Sequence, residues 1–314
     1  MTGSPARYYV MLAAVGVVWG ATPAAGKLLT GALSPLLLTA LRFAVISALL
    51  FAWLALTRQR TQLRPQRQLL WLMLALGFTG VLLHNGLLFL GLHYTTATNT
   101  ALIESLGPTI TAVLACLFLG ERLSPWGYAG IAVSCAGALC IITRGEAAVL
   151  RELSFNGGDL IILCCEAAWS AYIVMALGVR GRLGTLAVTA WSGLFGSLLC
   201  LSVGLVTDSL WVGVLDALAW GCLLYIVLAA GLFAFVAWNW AAEAVGASKA
   251  GAFVYLVPLT GAAVGVMVLG EDVAGAQLLG AVLIAAGVAV TVRSRAASRR
   301  GGGPSAPQPK QEFL

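Results

Sequence analysis

The feature that constrains this chain most is a stretch of sequence that occurs twice. Residues 97–123 read ATNTALIESLGPTITAVLACLFLGERL, and residues 247–273 read ASKAGAFVYLVPLTGAAVGVMVLGEDV. Pro258 stands 150 residues after Pro108, and Trp19, Gly31, Thr39, Leu74, Gly120, Glu121, Gly130 and Gly137 all recur at the same offset. A long internal repeat decides the whole architecture, so the chain is predicted to be one unit written twice.

Apolar runs of about 20 residues, the length that crosses the hydrocarbon core of a bilayer, fill almost the whole chain. The chain is 60% hydrophobic and 10% charged, whereas soluble domains average about 25% charged residues. We therefore predict an all-α membrane protein with ten transmembrane helices near residues 8–29, 35–56, 69–92, 98–119, 125–142, 158–178, 185–206, 218–241, 249–269 and 273–292. Runs of this length without period-two alternation favour helices over barrel strands.

Five helices in each copy would make the second copy enter the membrane from the opposite face. The predicted architecture is thus two inverted five-helix repeats, residues 1–145 and 146–292, followed by a disordered cytoplasmic tail at 293–314. Inverted repeats are common in secondary transporters, which bind substrate near the midplane between the two halves.

The basic residues are segregated by side if ten spans alternate. Fourteen of the 18 Lys and Arg residues fall on one side, and Lys27, Arg144 and Arg151 on the other, while Arg42 lies within a span. The positive-inside rule then predicts cytoplasmic N- and C-termini for a multi-pass protein of the cell inner (plasma) membrane. The net charge of +6 is accounted for by orientation and by contact with the lipid bilayer, so no nucleic-acid partner is expected.

The seven cysteines all lie inside apolar runs without CxxC spacing, and they are predicted to be small core residues. The N-terminal run ends in GATPAAG, which resembles a signal-peptide cleavage site. We expect a retained first helix instead, because Trp19 has a counterpart in Trp169.

Several motifs carry a resemblance to a known family. These are WG at Trp19, the SPxxxxxxRF pattern from Ser34 to Phe43, the AxNxALIxSLxP run with LGERLS from Ala97 to Ser124, and LGED before Val273. The chain resembles the EamA-type family of the drug/metabolite transporter superfamily over nearly its whole length. The resemblance implies ten helices, a central cavity lined by both halves and transport of small metabolites, often by export. Asp272 departs from the family pattern, where a basic residue is frequent.

Arg42 and Glu104 are charges predicted to lie inside the membrane at the same level. Arg42 is seven residues past Pro35 and Glu104 six past Thr98, each roughly 10 Å deep at 1.5 Å per residue. A lone charge there costs at least about 2.5–3.5 kcal/mol, so the two should pair or face water. Two interpretations stay open: a structural ion pair, or contact with a zwitterionic substrate or a coupling proton.

Further polar residues extend this candidate substrate-binding set. Glu166 is predicted about 12 Å inside the sixth span, as a cavity carboxylate or as a hydrogen-bonded structural group. His84, beside Asn85, is a candidate proton relay or a helix-packing residue. No second His or Cys accompanies it at ligand spacing, so neither a metal site nor a cofactor is expected.

Aromatic residues complete the substrate-binding prediction. Trp19 and Trp169 lie about eleven residues into their spans, below the interfacial belt, and are expected to face each other across the cavity. Tyr172 and Tyr255 are weaker candidates in the same group. Packing against lipid or neighbouring helices remains the alternative for each.

Two prolines and two glutamates are candidate hinge or gate residues. Pro108 and Pro258 each remove a backbone donor and are expected to bend their helices towards protein or cavity. Glu121 and Glu271, just past those helices, are predicted boundary or gate residues, with ordinary loop charges as the alternative.

These observations predict a secondary transporter, an exporter of small metabolites such as amino acids or amphipathic compounds, working by alternating access. The absence of GxxxxGK[ST] argues against an ATPase, while proton coupling and facilitation are not distinguished, nor are monomer and homodimer. Two rival functions stay open. One is an intramembrane enzyme on lipid-linked substrates using His84 and Glu104; the other is a non-transporting scaffold. With two histidines in the chain, an enzyme is not expected.

Overall fold

The computed structural model describes residues 6–301 apart from 58–64, 66, 120–123, 147, 150–155, 180–181, 246–252 and 254–255. Its described part is helical, with one isolated antiparallel bridge between Leu33 and Val212. The predicted Tyr255, Glu121 and residues 302–314 lie outside the described residues.

Eight helical segments are long and apolar enough to cross a membrane, and two further apolar helices are shorter. We number the ten segments in chain order: α1 Ala6–Leu29, α2 Pro35–Leu56, α3 Arg67–Tyr94, α4 Ala97–Phe118, α5 Pro125–Ile142, α6 Gly157–Ala176, α7 Thr185–Val206, α8 Ala217–Ala242, α9 Leu256–Leu269 and α10 Gly275–Gly301. The all-helical prediction is confirmed, with eight segments of spanning length in the described residues. The last helix runs to Gly301, so residues 293–301, predicted as disordered tail, are helical; the first proline after Gly275 comes only at position 304.

Four of the segments are internally irregular. A turn at Ala21 divides α1 into Ala6–Gly20 and Thr22–Leu29, with Pro23 in the first turn of the second piece. Segment α4 is divided after Glu104, and its second helix begins at Gly107 and ends at Leu119, one residue beyond the apolar span. Pro108 has no N–H to donate to the Glu104 carbonyl, which explains a break at this point. Segments α3 and α8 contain π-helical stretches, Phe78–Leu83 and Tyr225–Phe233.

The segments pack in pairs, and the tightest contact joins α5 to α10 through glycines. A Cβ at Gly130 would lie 2.6 Å from the Gly287 carbonyl oxygen, and one at Gly137 would lie 2.6 Å from the Gly280 carbonyl oxygen. The small-residue face predicted to suit close helix packing is therefore used here. The contact runs antiparallel, because the later glycine of α5 meets the earlier glycine of α10.

The largest apolar cluster lies at the end of the fold where α3 ends and α4 begins. Fully buried Leu29, Phe89, Ile103 and Ile162 bring α1, α3, α4 and α6 together there. Gly26 makes room for this packing, since a Cβ would lie 2.9 Å from both Leu92 and Phe89. The polar residues of the candidate site lie deeper along these same helices.

Candidate functional site

The site begins where the π-helical stretch of α3 ends. His84 and Asn85 are the first two residues after Phe78–Leu83. A π-helical turn rotates the residues that follow it relative to a regular α-helix, and such turns are often found at functional sites. Tyr172 of α6 packs against this stretch: a Cβ at Gly80 would lie 2.5 Å from the tyrosine ring.

Arg42 of α2 contacts Asn85 of α3. Its Nη1 donates to the Asn85 Oδ1 at 2.9 Å, while the Asn85 Nδ2 donates to the Gly80 carbonyl at 2.8 Å. The Asn85 amide is buried and its orientation is fixed by both contacts. Arg42 Nε is buried without a hydrogen-bond partner, and the guanidinium carbon lies 5.4 Å from the Phe43 ring centroid. One donor of Arg42 is therefore left for a further acceptor.

His84 reaches across to α6. Its Nδ1 lies 3.2 Å from the Cys165 carbonyl oxygen, 3.1 Å from Cys165 Sγ and 4.0 Å from Glu166 Oε1. Among the described residues, His84 and Glu166 are the one basic and acidic side-chain pair whose nitrogen and oxygen lie within 4.0 Å, and the contact is an ion pair only when His84 is protonated. Glu166 is 3% exposed, and no described residue donates a hydrogen bond to its carboxylate. Its Oε2 lies against Gly107 of α4, 2.6 Å from where a Cβ would be.

Glu104 lies one turn before Gly107 and is half-buried. It interacts electrostatically with both Arg42 and Glu166, although no ion pair within 4.0 Å forms between Arg42 and Glu104. The locking ion pair that the sequence left open is therefore not formed in this structure. Two carboxylates and one guanidinium instead surround the same small region.

Aromatic rings cover one side of this region. The Trp169 ring lies 4.9 Å from His84 and 4.9 Å from Tyr172, stacked on the tyrosine with an interplanar angle of 9°. Trp19 lies elsewhere: its Nε1 donates to the Ala230 carbonyl at 3.0 Å and its ring is 5.2 Å from Trp238. The expected contact between Trp19 and Trp169 is not present in the described residues.

Of the candidate hinge and gate residues, Pro108, Pro258 and Glu271 lie in the described part of the chain. Pro108 is the second residue of the helix that follows the α4 break, and Pro258 is in the first turn of α9. Glu271, after α9, accepts hydrogen bonds at 2.8 Å from the backbone N–H groups of Ala97 and Thr98. It therefore caps the first turn of α4 from the other half of the chain.

Sequence reasoning missed a second polar cluster beside that cap. Asp159, fully buried at the start of α6, accepts hydrogen bonds from Thr95 and, at 3.1 Å to each oxygen, from Asn99. Gln277 of α10 donates to Asn99, and Lys27 donates to the Thr95 carbonyl at 2.7 Å. The available signal was a set of polar residues near the ends of several spans on one side.

Cys165 was also missed as a member of the main cluster, and Thr111 and Ser170 were missed beside it. The Ser170 hydroxyl donates to the Gly107 carbonyl at 3.2 Å, and Thr111 donates to Ser170 at 3.0 Å. Single small polar residues in an apolar run give no sequence signal of their own. We call the group formed by Arg42, His84, Asn85, Glu104, Cys165, Glu166, Trp169 and Tyr172 the polar cluster.

Charged residues inside a set of apolar helices lower the stability of the fold, and they usually mark a transport pathway or a binding site. The fold and this cluster are those of a multi-pass membrane protein with polar residues between its helices. The profile of the EamA-like transporter family matches residues 6–143 and again residues 156–293, and the chain belongs to that family. The resemblance read from the motifs is thereby confirmed.

Individual relatives are named as transporters. The chain is 31% identical over 293 residues to an uncharacterized transporter, YyaM, of Bacillus subtilis, covering 89% of this chain and 92% of the relative. It is 27% identical to a probable amino-acid metabolite efflux pump of Salmonella typhimurium, covering 88% and 92%, and 26% identical to a probable terminal-alkyne amino-acid exporter of Streptantibioticus cattleyicolor, covering 76% and 78%. A solved crystal structure matches with a TM-score of 0.62 at 22% identity, covering 93% of this chain and 99% of that one. These relatives point to a non-enzyme.

Proposed function

We propose that the protein is a secondary transporter that moves a small zwitterionic or amphipathic metabolite, such as an amino acid, by alternating access. All ten segments are proposed to cross the membrane, as inverted repeats of residues 1–145 and 146–292. The observation that carries the proposal is the polar cluster, which leaves an Arg42 donor and two carboxylates without hydrogen-bond partners inside a membrane-spanning fold.

The glycine contacts between α5 and α10 support inverted repeats. Gly130 and Gly280 are equivalent by the 150-residue offset, as are Gly137 and Gly287. Gly130 contacts Gly287 while Gly137 contacts Gly280, so each contact is the image of the other under exchange of the halves. Reciprocal pairing of this kind is the mark of a two-fold relation. The antiparallel direction agrees with an axis in the membrane plane.

A second helix contact is also used twice. A Cβ at Gly20 of α1 would lie 2.6 Å from the Val257 carbonyl of α9, and Ser170 of α6 donates to the Gly107 carbonyl of α4. Each residue of the second pair corresponds to one of the first at the 150-residue offset. The π-helical stretch 78–83 likewise maps onto 228–233, inside Tyr225–Phe233. The two copies share an arrangement of helices, but the polar side chains of the site lie at only one of these two contacts, the one between α4 and α6.

The substrate class is inferred from the donors and acceptors of the polar cluster that have no hydrogen-bond partner. Arg42 has a free donor for a carboxylate, and Glu104 and Glu166 have free acceptors for an ammonium group. The stacked Trp169 and Tyr172 rings offer an apolar surface to the rest of the solute. His84 and Asn85 set the positions of these groups. The two relatives named for amino acids or their metabolites, as exporter and as efflux pump, support this choice and the direction of transport.

Alternating access requires that one end of the pathway be closed, and the Glu271 end fits that role. Hydrogen bonds join the halves here: Glu271 to α4, Asp159 to Asn99, and Ser34 N–H to the Trp211 carbonyl at 3.1 Å. By the positive-inside rule this end faces away from the cytoplasm, with both termini cytoplasmic in the inner membrane.

Counterflow in proteoliposomes tests the proposed function. Vesicles loaded with unlabelled amino acids or amphipathic amines are mixed with labelled solute, with and without a pH gradient. We expect saturable counterflow for at least one zwitterion, lost in Glu104→Gln and kept in Glu146→Gln, which changes an exposed carboxylate outside the spans. Absence of counterflow for every solute, with protein that elutes as a single folded species, would refute the proposal.

A further inference from the structure

Three side chains of different ligand types converge at the contact between α3 and α6. His84 offers an imidazole nitrogen, Cys165 a sulfur and Glu166 a carboxylate oxygen, and these atoms all lie within 4.8 Å of one another. Cys165 and Glu166 are buried, while His84 retains partial exposure. The sequence hid this group because its members are separated by 81 positions along the chain.

We propose that His84, Cys165 and Glu166 form a binding site for a divalent transition-metal ion of the zinc type. Zinc binds sulfur at about 2.3 Å and nitrogen at about 2.0–2.1 Å, which places tetrahedral ligands roughly 3.4–3.6 Å apart. The His84 nitrogen lies 3.1 Å from the sulfur and 4.0 Å from the carboxylate oxygen. These two distances lie on either side of that spacing, and all three ligand atoms lie within 4.8 Å of one another.

Glu166 supplies an independent reason to expect a cation here. The residue is 3% exposed, and its carboxylate receives no hydrogen bond from any described residue. Gly107 leaves the space that the carboxylate occupies, since any Cβ would lie 2.6 Å from Oε2. Buried charges are normally paired or bound to a metal. Asp159 on the same helix is just as buried, yet its oxygens accept hydrogen bonds from Thr95 and Asn99.

The donor set selects the class of ion. Thiolate and imidazole favour zinc-like ions over magnesium or calcium, which prefer oxygen. Three protein ligands leave a fourth position open, as in sites that exchange water or a small ligand. Metal binding requires the thiolate form of Cys165 and the carboxylate form of Glu166, so any proton that either group carries is released to solvent when the ion binds. The ion would hold α3 to α6 across the seam of the two halves.

Cobalt spectroscopy on the purified full-length protein tests this site, with any purification tag removed. We expect one Co²⁺ per chain, with tetrahedral visible bands and a thiolate-to-cobalt charge-transfer band, displaced by Zn²⁺. Cys165→Ser should abolish the charge-transfer band, and His84→Gln should weaken binding at least about tenfold, since loss of even a supporting group costs about 10–100-fold. Cys164→Ser is the matched control, because this neighbouring thiol is exposed and should leave the band intact.

X-ray absorption at the zinc edge of the unmodified protein gives a second measurement that does not depend on the folding of variants. One sulfur at about 2.3 Å with nitrogen and oxygen neighbours is the expected shell. A zinc shell without sulfur, or a charge-transfer band that survives Cys165→Ser, would overturn the assignment. Because no transport is measured, failure of this proposal leaves the proposed transport function standing.

Discussion

Replacing Gly130 by alanine should weaken the α5–α10 contact that relates the two halves. The added Cβ would lie 2.5 Å from Thr291 Oγ1 and 2.6 Å from the Gly287 carbonyl oxygen. Ordinary contact begins near 3.4 Å, so the two backbones must separate by about 0.8 Å. A gap of about 0.5–1 Å already removes a quarter to a half of each dispersion contact. Overpacking of this kind costs about 1–3 kcal/mol.

Unfolding in detergent, followed by tryptophan fluorescence or circular dichroism, measures this cost. Gly221→Ala is the matched control, because a Cβ there meets nothing within 4 Å on a helix surface. It should leave stability unchanged or raise it by up to about 1 kcal/mol through helix propensity. Gly130→Ala combined with Gly287→Ala should cost less than the sum of the single changes, since both separate the same backbones.

Equal stability of the Gly130→Ala and Gly221→Ala variants would refute the close contact between α5 and α10. Additive costs for the two glycines of one pair would show instead that Gly130 and Gly287 act at separate places. The reciprocal glycine pairing would then give no support to inverted repeats.

Three further changes probe the site and its cap. Glu271→Gln should lower the free energy of unfolding by about 1 kcal/mol, because α4 loses a charged cap on two of its N–H groups. Asp272→Asn changes an exposed side chain and should leave the free energy of unfolding unchanged. Chemical unfolding compares the two variants. Arg42→Lys should raise the apparent KM for counterflow about tenfold, or about 1.4 kcal/mol. The lysine ammonium group cannot replace the Nε donor that Arg42 offers to the carboxylate of the solute. Trp169→Leu should weaken substrate binding by about 0.5–1.5 kcal/mol, because the solute loses one aromatic contact, and Trp169→Phe should weaken it by less, as measured by substrate quenching of fluorescence or by counterflow.

The approximate level of a residue along its helix can be predicted from the sequence, because a helix rises 1.5 Å per residue from the boundary of the bilayer. Arg42 and Glu104 were expected at one level on this basis, and the two groups interact electrostatically in the structure. The direction in which a side chain points around its helix could not be read in the same way. Breaks and π-helical stretches shift that direction, and neither leaves a clear pattern in a uniformly apolar run.

This limit explains the particular differences. Trp19 and Trp169 were expected to face each other because they are equivalent in the repeat. Equivalence in the repeat does not fix their neighbours: the Trp169 ring lies 4.9 Å from the His84 ring, whereas the Trp19 ring lies 5.2 Å from the Trp238 ring. Cys165 is a buried core residue, as expected, but the sequence did not show its contact with His84 because the two residues lie on different helices.

Two buried carboxylates on α6 offer the sharpest separation of function from fold. Asp159 accepts hydrogen bonds from Thr95 and Asn99. In Asp159→Asn, an amide NH2 donor replaces one of the accepting oxygens and meets the donor of Asn99. The change should therefore lower the free energy of unfolding by about 1–3 kcal/mol. Glu166 accepts none, so Glu166→Gln removes an unpaired buried charge and should leave stability unchanged or raise it. Transport should nevertheless be lost in Glu166→Gln. A residue that lowers stability but is needed for transport has a role in binding rather than in folding. If the Glu166→Gln variant is as unstable as Asp159→Asn, Glu166 supports the fold instead.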